Sequence, residues 1–211
     1  MVLSFGESKG SANKNSVDAY VFKNGDNRIR IVGDILARYV YWVEGENKKN
    51  IPMECLAFDR NEEAFNNKEV DWVQKYYPDL KCQWSYMVQC IDEGKIKVVN
   101  LKKKLWQQVV TAAKDLGDPT DPETGWDICF SREKTGPNVF NVEYTLQVIK
   151  CQKATRPLTE EEKELIKDLK SMDDVMPRPT PESQKEFLDR IRMANSPEEK
   201  DEEAAAEFDV S

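Results

Sequence analysis

Between Trp84 and Leu116 the hydrophobic period changes once, from two residues to about 3.6, and this stretch constrains the rest of the chain. Trp84, Tyr86, Val88 and Cys90 alternate with Ser85, Met87, Gln89 and Ile91. After Asp92-Glu93-Gly94 the alternation resumes, with Ile96 and Val98 against Lys97 and Val99. Two strands joined at Gly94 read as a hairpin, with a type I turn and a following bulge at the glycine. From Asn100, an N-cap residue type, the spacing becomes Leu105, Val109, Ala112 or Ala113, and Leu116. That is one face of a helix over about 101–116, stopped by Gly117 and Pro119.

The start of this helix carries Lys102, Lys103 and Lys104. The macrodipole is positive there, so each exposed cation costs about 0.3–1 kcal/mol. A bound polyanion would offset that cost, because free N–H groups at a helix start beside a lysine cluster favour phosphate. Taken alone, such a run is an ordinary solvated face.

The same alternation extends to both sides of this stretch. Arg28 to Leu36 begins with basic and apolar residues in turn, including Arg28 and Arg30, and Gly33 interrupts it where a strand bends or bulges. Arg38-Tyr39-Val40-Tyr41-Trp42-Val43 follows as a strand with aromatics on both faces, so either Tyr39 and Tyr41 or Val40 and Trp42 line a groove. A polar loop from Glu44 to Asn50 holds Lys48 and Lys49, and an aromatic stripe from Phe65 to Tyr77 predicts a helix from Asn61, packed on the strands. Beyond the central helix, Trp126, Ile128 and Phe130 mark a strand. After the Gly136-Pro137 turn, Phe140, Val142, Tyr144, Leu146 and Val148 mark its return. Five or six strands with a helix between the fourth and fifth predict a mainly β chain built on an OB-type barrel. Near the end, Thr159 with Glu162 forms a capping-box signature, and Thr180-Pro181 opens a second helix through Phe187, Leu188 and Ile191.

The formal net charge of −8 is unevenly placed. Residues 159–211 hold 17 acidic and 8 basic side chains, whereas residues 1–158 hold 22 and 23. The organisation expected is a flexible arm over 1–16, a barrel domain over 17–156 with an insertion at about 45–83, a helical extension over 157–195, and a disordered acidic tail over 196–211. Five widely spaced cysteines and no histidine leave no zinc pattern and no His-based nucleophile pair, so no metal or other cofactor is expected. A reducing cytoplasm is the simplest location. No apolar run has the length of a membrane span, and no membrane partner is expected.

Gly94-Lys95-Ile96-Lys97, Lys102-Lys103-Lys104-Leu105-Trp106, Gly117-Asp118-Pro119-Thr120-Asp121-Pro122 and the strands from Asp127 to Tyr144 occur in an order that resembles bacteriophage single-stranded DNA-binding proteins of the T-even helix-destabilising type. The likeness covers roughly residues 28–150, with the acidic tail as a further point. It implies an OB-fold cleft that takes single-stranded DNA without sequence preference, and no enzymatic activity. On this chain the family's aromatic strand falls on Trp84 and Tyr86 and its helix start on Lys103, Lys104, Leu105 and Trp106. Together with the basic and aromatic residues read from the strands and loops, the expected cleft comprises Arg28, Arg30, Arg38, Tyr39, Tyr41, Trp42, Lys48, Lys49, Trp84, Tyr86, Lys95, Lys97, Lys102, Lys103, Lys104 and Trp106. The likeness also implies replication, recombination or repair proteins as partners of the tail, and the cytoplasm of an infected host as the location. The zinc of the family archetype does not carry over, because the region after the second strand offers Cys55 and no histidine. The N-terminal arm has only Lys9 and Lys14 where the archetype is basic.

Two other classes compete. Pro78-Asp79 with Glu93-Gly94-Lys95 has the spacing of a PD-(D/E)xK nuclease, in which carboxylates hold magnesium and lysine positions water. An adaptor acting only through its acidic C-terminal region would leave the barrel as a scaffold.

Overall fold

A computed structural model describes residues 17–45, 48–138 and 141–195. The expected arm at 1–16 and acidic tail at 196–211 lie outside the described residues. In chain order the elements are β1 (Asp18–Ala19), β2 (Gly25–Glu44), β3 (Asn50–Glu54), β4 (Phe58–Asp59), β5 (Ala64–Phe65), α1 (Trp72–Tyr76), β6 (Gln83–Asp92), β7 (Lys95–Leu101), α2 (Lys103–Leu116), β8 (Ile128–Lys134), β9 (Val142–Leu146), α3 (Val148–Lys153), α4 (Glu160–Ile166), α5 (Met172–Val175) and α6 (Pro181–Ala194).

The two strands expected over 28–36 and 38–43 are one strand, β2, and the bend expected at Gly33 lies within it. Gly33 has φ +70°, and the register against β6 shifts between Val32 and Ile35. A bulge bends the strand without ending it. The first part therefore pairs with β8 from Gly25 to Ile29, and the rest with β6 and then β3. The resulting seven-stranded sheet is mixed, in the order β1-β7-β6-β2-β8-β9 with β3 on β2. It is a mainly β arrangement consistent with an OB-like fold, but it is open rather than a closed barrel: among the described residues no ladder joins β9 back to β7. Helix α2 fills that gap. Leu105, Val109 and Ala112 are buried with Ile29, Ile31, Val88, Val99, Trp126 and Phe130. The Gln108 carboxamide serves the free edge of β9, donating to the Tyr144 carbonyl at 3.2 Å and accepting from the Leu146 N–H at 2.8 Å.

The β6–β7 hairpin forms as the alternation predicts, with a different turn. Asp92 faces Lys95, and Glu93 and Gly94 have φ +52° and +72°, which makes a two-residue primed turn instead of a type I turn with a bulge. Asn100 remains in β7 opposite Met87, so Lys102 and not Asn100 is the N-cap of α2, and it makes no side-chain capping bond.

The insertion departs further from expectation. Asp59 Oδ1 accepts from the N–H groups of Asn61 and Glu62, and Glu63 and Asn67 adopt φ +48° and +52°. Those contacts build the β4–β5 hairpin in place of a helix from Asn61. Only α1 remains helical, capped by the Asp71 side chain. The returning strand likewise ends at Leu146, with Val148 in α3, and Phe140 lies outside the described residues.

At the C-terminal end the capping box forms, with Thr159 Oγ1 accepting from Glu162 N–H and Glu162 Oε2 accepting from Thr159 N–H. Leu188 packs with Tyr41, Val43 and Phe58 on the face of β2 that carries Tyr39. Residues 158–176 cover the other, outer face of the sheet, where Leu158 packs with Val32 and Ile91, and Met172 with Leu36, Met87 and Val98. This covering explains why both faces of Trp84–Ile91 are apolar.

Candidate nucleic-acid interface

Along one face of β6, Trp84 and Tyr86 are two residues apart, so their rings stack at 5.3 Å and 6°. Trp84 lies opposite Tyr39 in the β2–β6 register, with ring centroids 4.2 Å apart. The row extends from Tyr39 to Phe65 of β5 at 4.7 Å, and from Tyr86 to Trp106 of α2 at 5.5 Å. Tyr39, Trp84, Tyr86 and Trp106 are half-buried, and Phe65 is exposed. Five rings thus form one partly open strip across the insertion, the sheet and the helix start. Burial raises the Tyr39 and Tyr86 pKa above the ordinary tyrosine value, so both hydroxyls stay neutral at physiological pH.

The strip ends beside the lysines. Lys102, Lys103 and Lys104 are exposed, and among the described residues none of them pairs with a carboxylate. Neighbouring protein atoms thin the hydration of the Lys102 ammonium and lower its pKa. Lys102 and Lys103 stand between two concavities. One is lined by Tyr39, Trp42, Cys82, Trp84 and Asn100, and the other, of about 650 Å³, by Arg132, Thr135, Glu143 and Tyr144. The surface therefore offers ring faces on one side of a cationic ridge, and a guanidinium with a further ring on the other. Flat π-systems take bases of any identity, and unpaired cations take phosphates.

The remaining residues expected in the site are not all brought there. Trp42 is exposed and lines the first concavity together with Val40, and Tyr39 joins them there without Tyr41. Tyr41 is buried, and its hydroxyl and the Cys55 thiol lie 3.3 Å apart in a hydrogen bond. Arg30 is 2% exposed, donating to the Asp121 and Arg156 carbonyls. Arg38 is largely buried against Glu54, and Arg28 pairs with Asp127 at 2.7 Å on the far part of β2. Lys97 is held by Asp92 at 2.6 Å. Lys95 and Lys97 also lie toward the turn end of the hairpin, six and four residues along β7 from Leu101, or ~20 and ~13 Å. Lys48 and Lys49 are exposed at the β2–β3 connection.

No known family model matches the chain. The chain is similar to a phage protein. That protein, of Escherichia phage T5 and described as "Probable ssDNA-binding protein", is 33% identical over 164 residues. The match covers 71% of this chain and 61% of the relative, so the chain spans about three fifths of that protein's length.

Three residues of the strip and its second concavity escaped sequence reasoning: Phe65, Arg132 and Tyr144. Phe65 sits in what reads as a helical stripe. Arg132 and Tyr144 are direct partners in the β8–β9 register, a cross-strand relation that the pairing of the two strands alone would have revealed. The two carboxylates of the nuclease spacing lie on different connections. Glu93 lies in the turn and pairs with Lys23 at 3.0 Å, whereas Asp79 follows α1. Among the described residues no helix is long and apolar enough to cross a membrane.

Proposed function

We propose that this protein binds single-stranded DNA without sequence preference, on an OB-type cleft formed by the Phe65–Tyr39–Trp84–Tyr86–Trp106 strip and the Lys102–Lys104 ridge. The observation that carries this reading is the continuity of five partly open rings ending at three cations that have no carboxylate partner among the described residues. Stacking contributes about 1–3 kcal/mol per base, and each phosphate contact releases counterions. The printed name of the phage T5 relative supports the same ligand. Binding is non-catalytic. It protects single strands during replication, recombination or repair in the cytoplasm of an infected cell, and the acidic residues of 197–211 recruit the proteins that act there.

Titrating the full chain with poly(dT) while following tryptophan fluorescence, at several salt concentrations, tests the reading directly. A saturable change whose affinity falls with salt is expected. No change at low salt would leave the adaptor reading in its place. Deleting residues 197–211 tests the tail separately: the deletion should retain binding and lose co-purifying replication or recombination proteins.

A further inference from the structure

A second aromatic and basic surface lies on the same insertion, beyond Phe65. Trp72 and Tyr76 stand one helical turn apart on α1, their rings 5.6 Å apart. The Lys75 ammonium lies 4.5 Å and the Lys185 ammonium 5.3 Å from the Trp72 ring centre, and the Arg192 guanidinium lies 4.5 Å from that of Tyr76. The acids around this groove belong to α6. Asp189 accepts from Tyr76 and pairs with Lys185 at 2.6 Å, and Glu182 and Glu186 are exposed on the same helix. Lys75 and Arg192 have no carboxylate ion pair among the described residues.

We propose that the groove between α1 and α6 is a second contact surface for the same single strand, taking nucleotides that run past Phe65. The proposal rests on the single-strand reading above. Asp189 neutralises Lys185, whereas among the described residues Lys75 lies on the same indole with no carboxylate partner, and a polyanion would supply one. A nucleotide also offers the two contacts the groove presents, a phosphate for a free cation and a base for the ring beside it. Continuity favours a strand over an acidic peptide: Tyr39 and Trp84 of the strip and Trp72 and Tyr76 of the groove all pack against one cluster built from Tyr41, Val43, Phe58, Val73 and Leu188.

Lys75 and Arg192 are exposed, so Lys75→Ala with Arg192→Ala should fold normally, which a thermal melt checks. The full chain and this double variant are titrated with oligo(dT) from about 4 to about 16 nucleotides, the range a single OB fold covers. Short oligonucleotides should bind both proteins alike. Long ones should bind the variant several-fold more weakly, with a log–log salt slope shallower by about 1.4, at ~0.7 per lost cation on a single strand. Equal slopes at every length overturn the proposal, as does an equal loss at every length. If the DNA profile is unchanged but binding of a peptide of residues 197–211 is lost, the groove is an acidic-peptide site and the proposal falls. Failure of the unaltered protein to bind any length removes the single-strand reading itself.

Discussion

At the scale of single residues the interface separates two kinds of contact, and each has its own signature. Tyr86 presents a ring between Trp84 and Trp106 and belongs to no ion pair, so Tyr86→Ala should cost about 1–3 kcal/mol of single-strand affinity while leaving the salt slope nearly unchanged. Trp84→Ala should do the same, with an added loss of fold stability because Trp84 also packs on Tyr39 and Phe58. Changing Lys102, Lys103 and Lys104 together to Ala should flatten the slope by about 2. The same triple variant should melt a few degrees higher, because it removes cations from a positive helix start that has no side-chain cap. Weaker binding with a raised melting temperature cannot be attributed to misfolding. An unaltered slope would take the helix start out of the site. Cys82 offers an independent probe. It is the half-exposed cysteine of the five and lines the concavity of Trp42 and Trp84, whereas Cys55, Cys90, Cys129 and Cys151 are buried. A maleimide should label Cys82 first, and saturating oligo(dT) should slow that labelling. Equal rates with and without DNA would place the strand elsewhere.

At the scale of elements, what was legible in the chain was what local chemistry decides. Alternation across Gly94 and the spacing from Leu105 to Leu116 define the hairpin and α2, because the strand period and the helix period are each set within a few residues. The insertion was not legible in the same way. Phe65, Trp72 and Tyr76 have helical spacing, yet Asp59 captures two N–H groups and Glu63 and Asn67 turn left-handed, so the stripe is split between a hairpin and a short helix. Arg30, Arg38 and Tyr41 read as groove residues because alternation identifies two faces without saying which one is covered. That choice is made by Asp121, Glu54 and residues 158–191, far away in the chain. Two glycines, one in the β6–β7 turn and one at the β2 bulge, carry a test of this packing. Gly94 has φ +72° with open space around it, so Gly94→Ala should cost only the backbone term, about 1–2 kcal/mol. Gly33 has φ +70°, and a Cβ there would lie 2.7 Å from Leu169 Cδ2, so Gly33→Ala should cost more. Adding Leu169→Ala should recover part of the difference in chemical denaturation, and no recovery would mean that Leu169 does not press on the bulge.

Across the whole molecule, the C-terminal helices are joined to the sheet through one buried carboxylate. Glu54 is 5% exposed on β3, and its oxygens take Arg60 at 2.6 and 2.7 Å, with Arg38 and Arg178 each at 3.4 Å. Arg60 continues to Asp173 and the Met176 carbonyl, and Arg178 to the Leu56 and Phe58 carbonyls, so two of the three guanidinium groups bind the C-terminal segment, which acts as a strap, to the insertion around a single acid. The Glu54 carbonyl also accepts from Gln184 of α6, and the next N–H, that of Cys55, donates to Tyr39 of the aromatic strip. The position of Tyr39 is thus fixed by the same network that holds the C-terminal helices. Glu54→Gln keeps the shape and removes the charge, leaving three cations with only the more exposed Glu69 and Asp173 nearby. Breaking a buried ion pair from one side costs about 3–5 kcal/mol, which for a chain of this size lowers the melting temperature by roughly 6–20 °C. Arg178→Ala should cost less, because Arg60 retains its two-point contact with Glu54. Thermal melts of the two variants decide the matter. A Glu54→Gln shift no larger than that of Arg178→Ala would mean that the strap is held by Met172 and Leu188 in the core, with the charge network only lying over it.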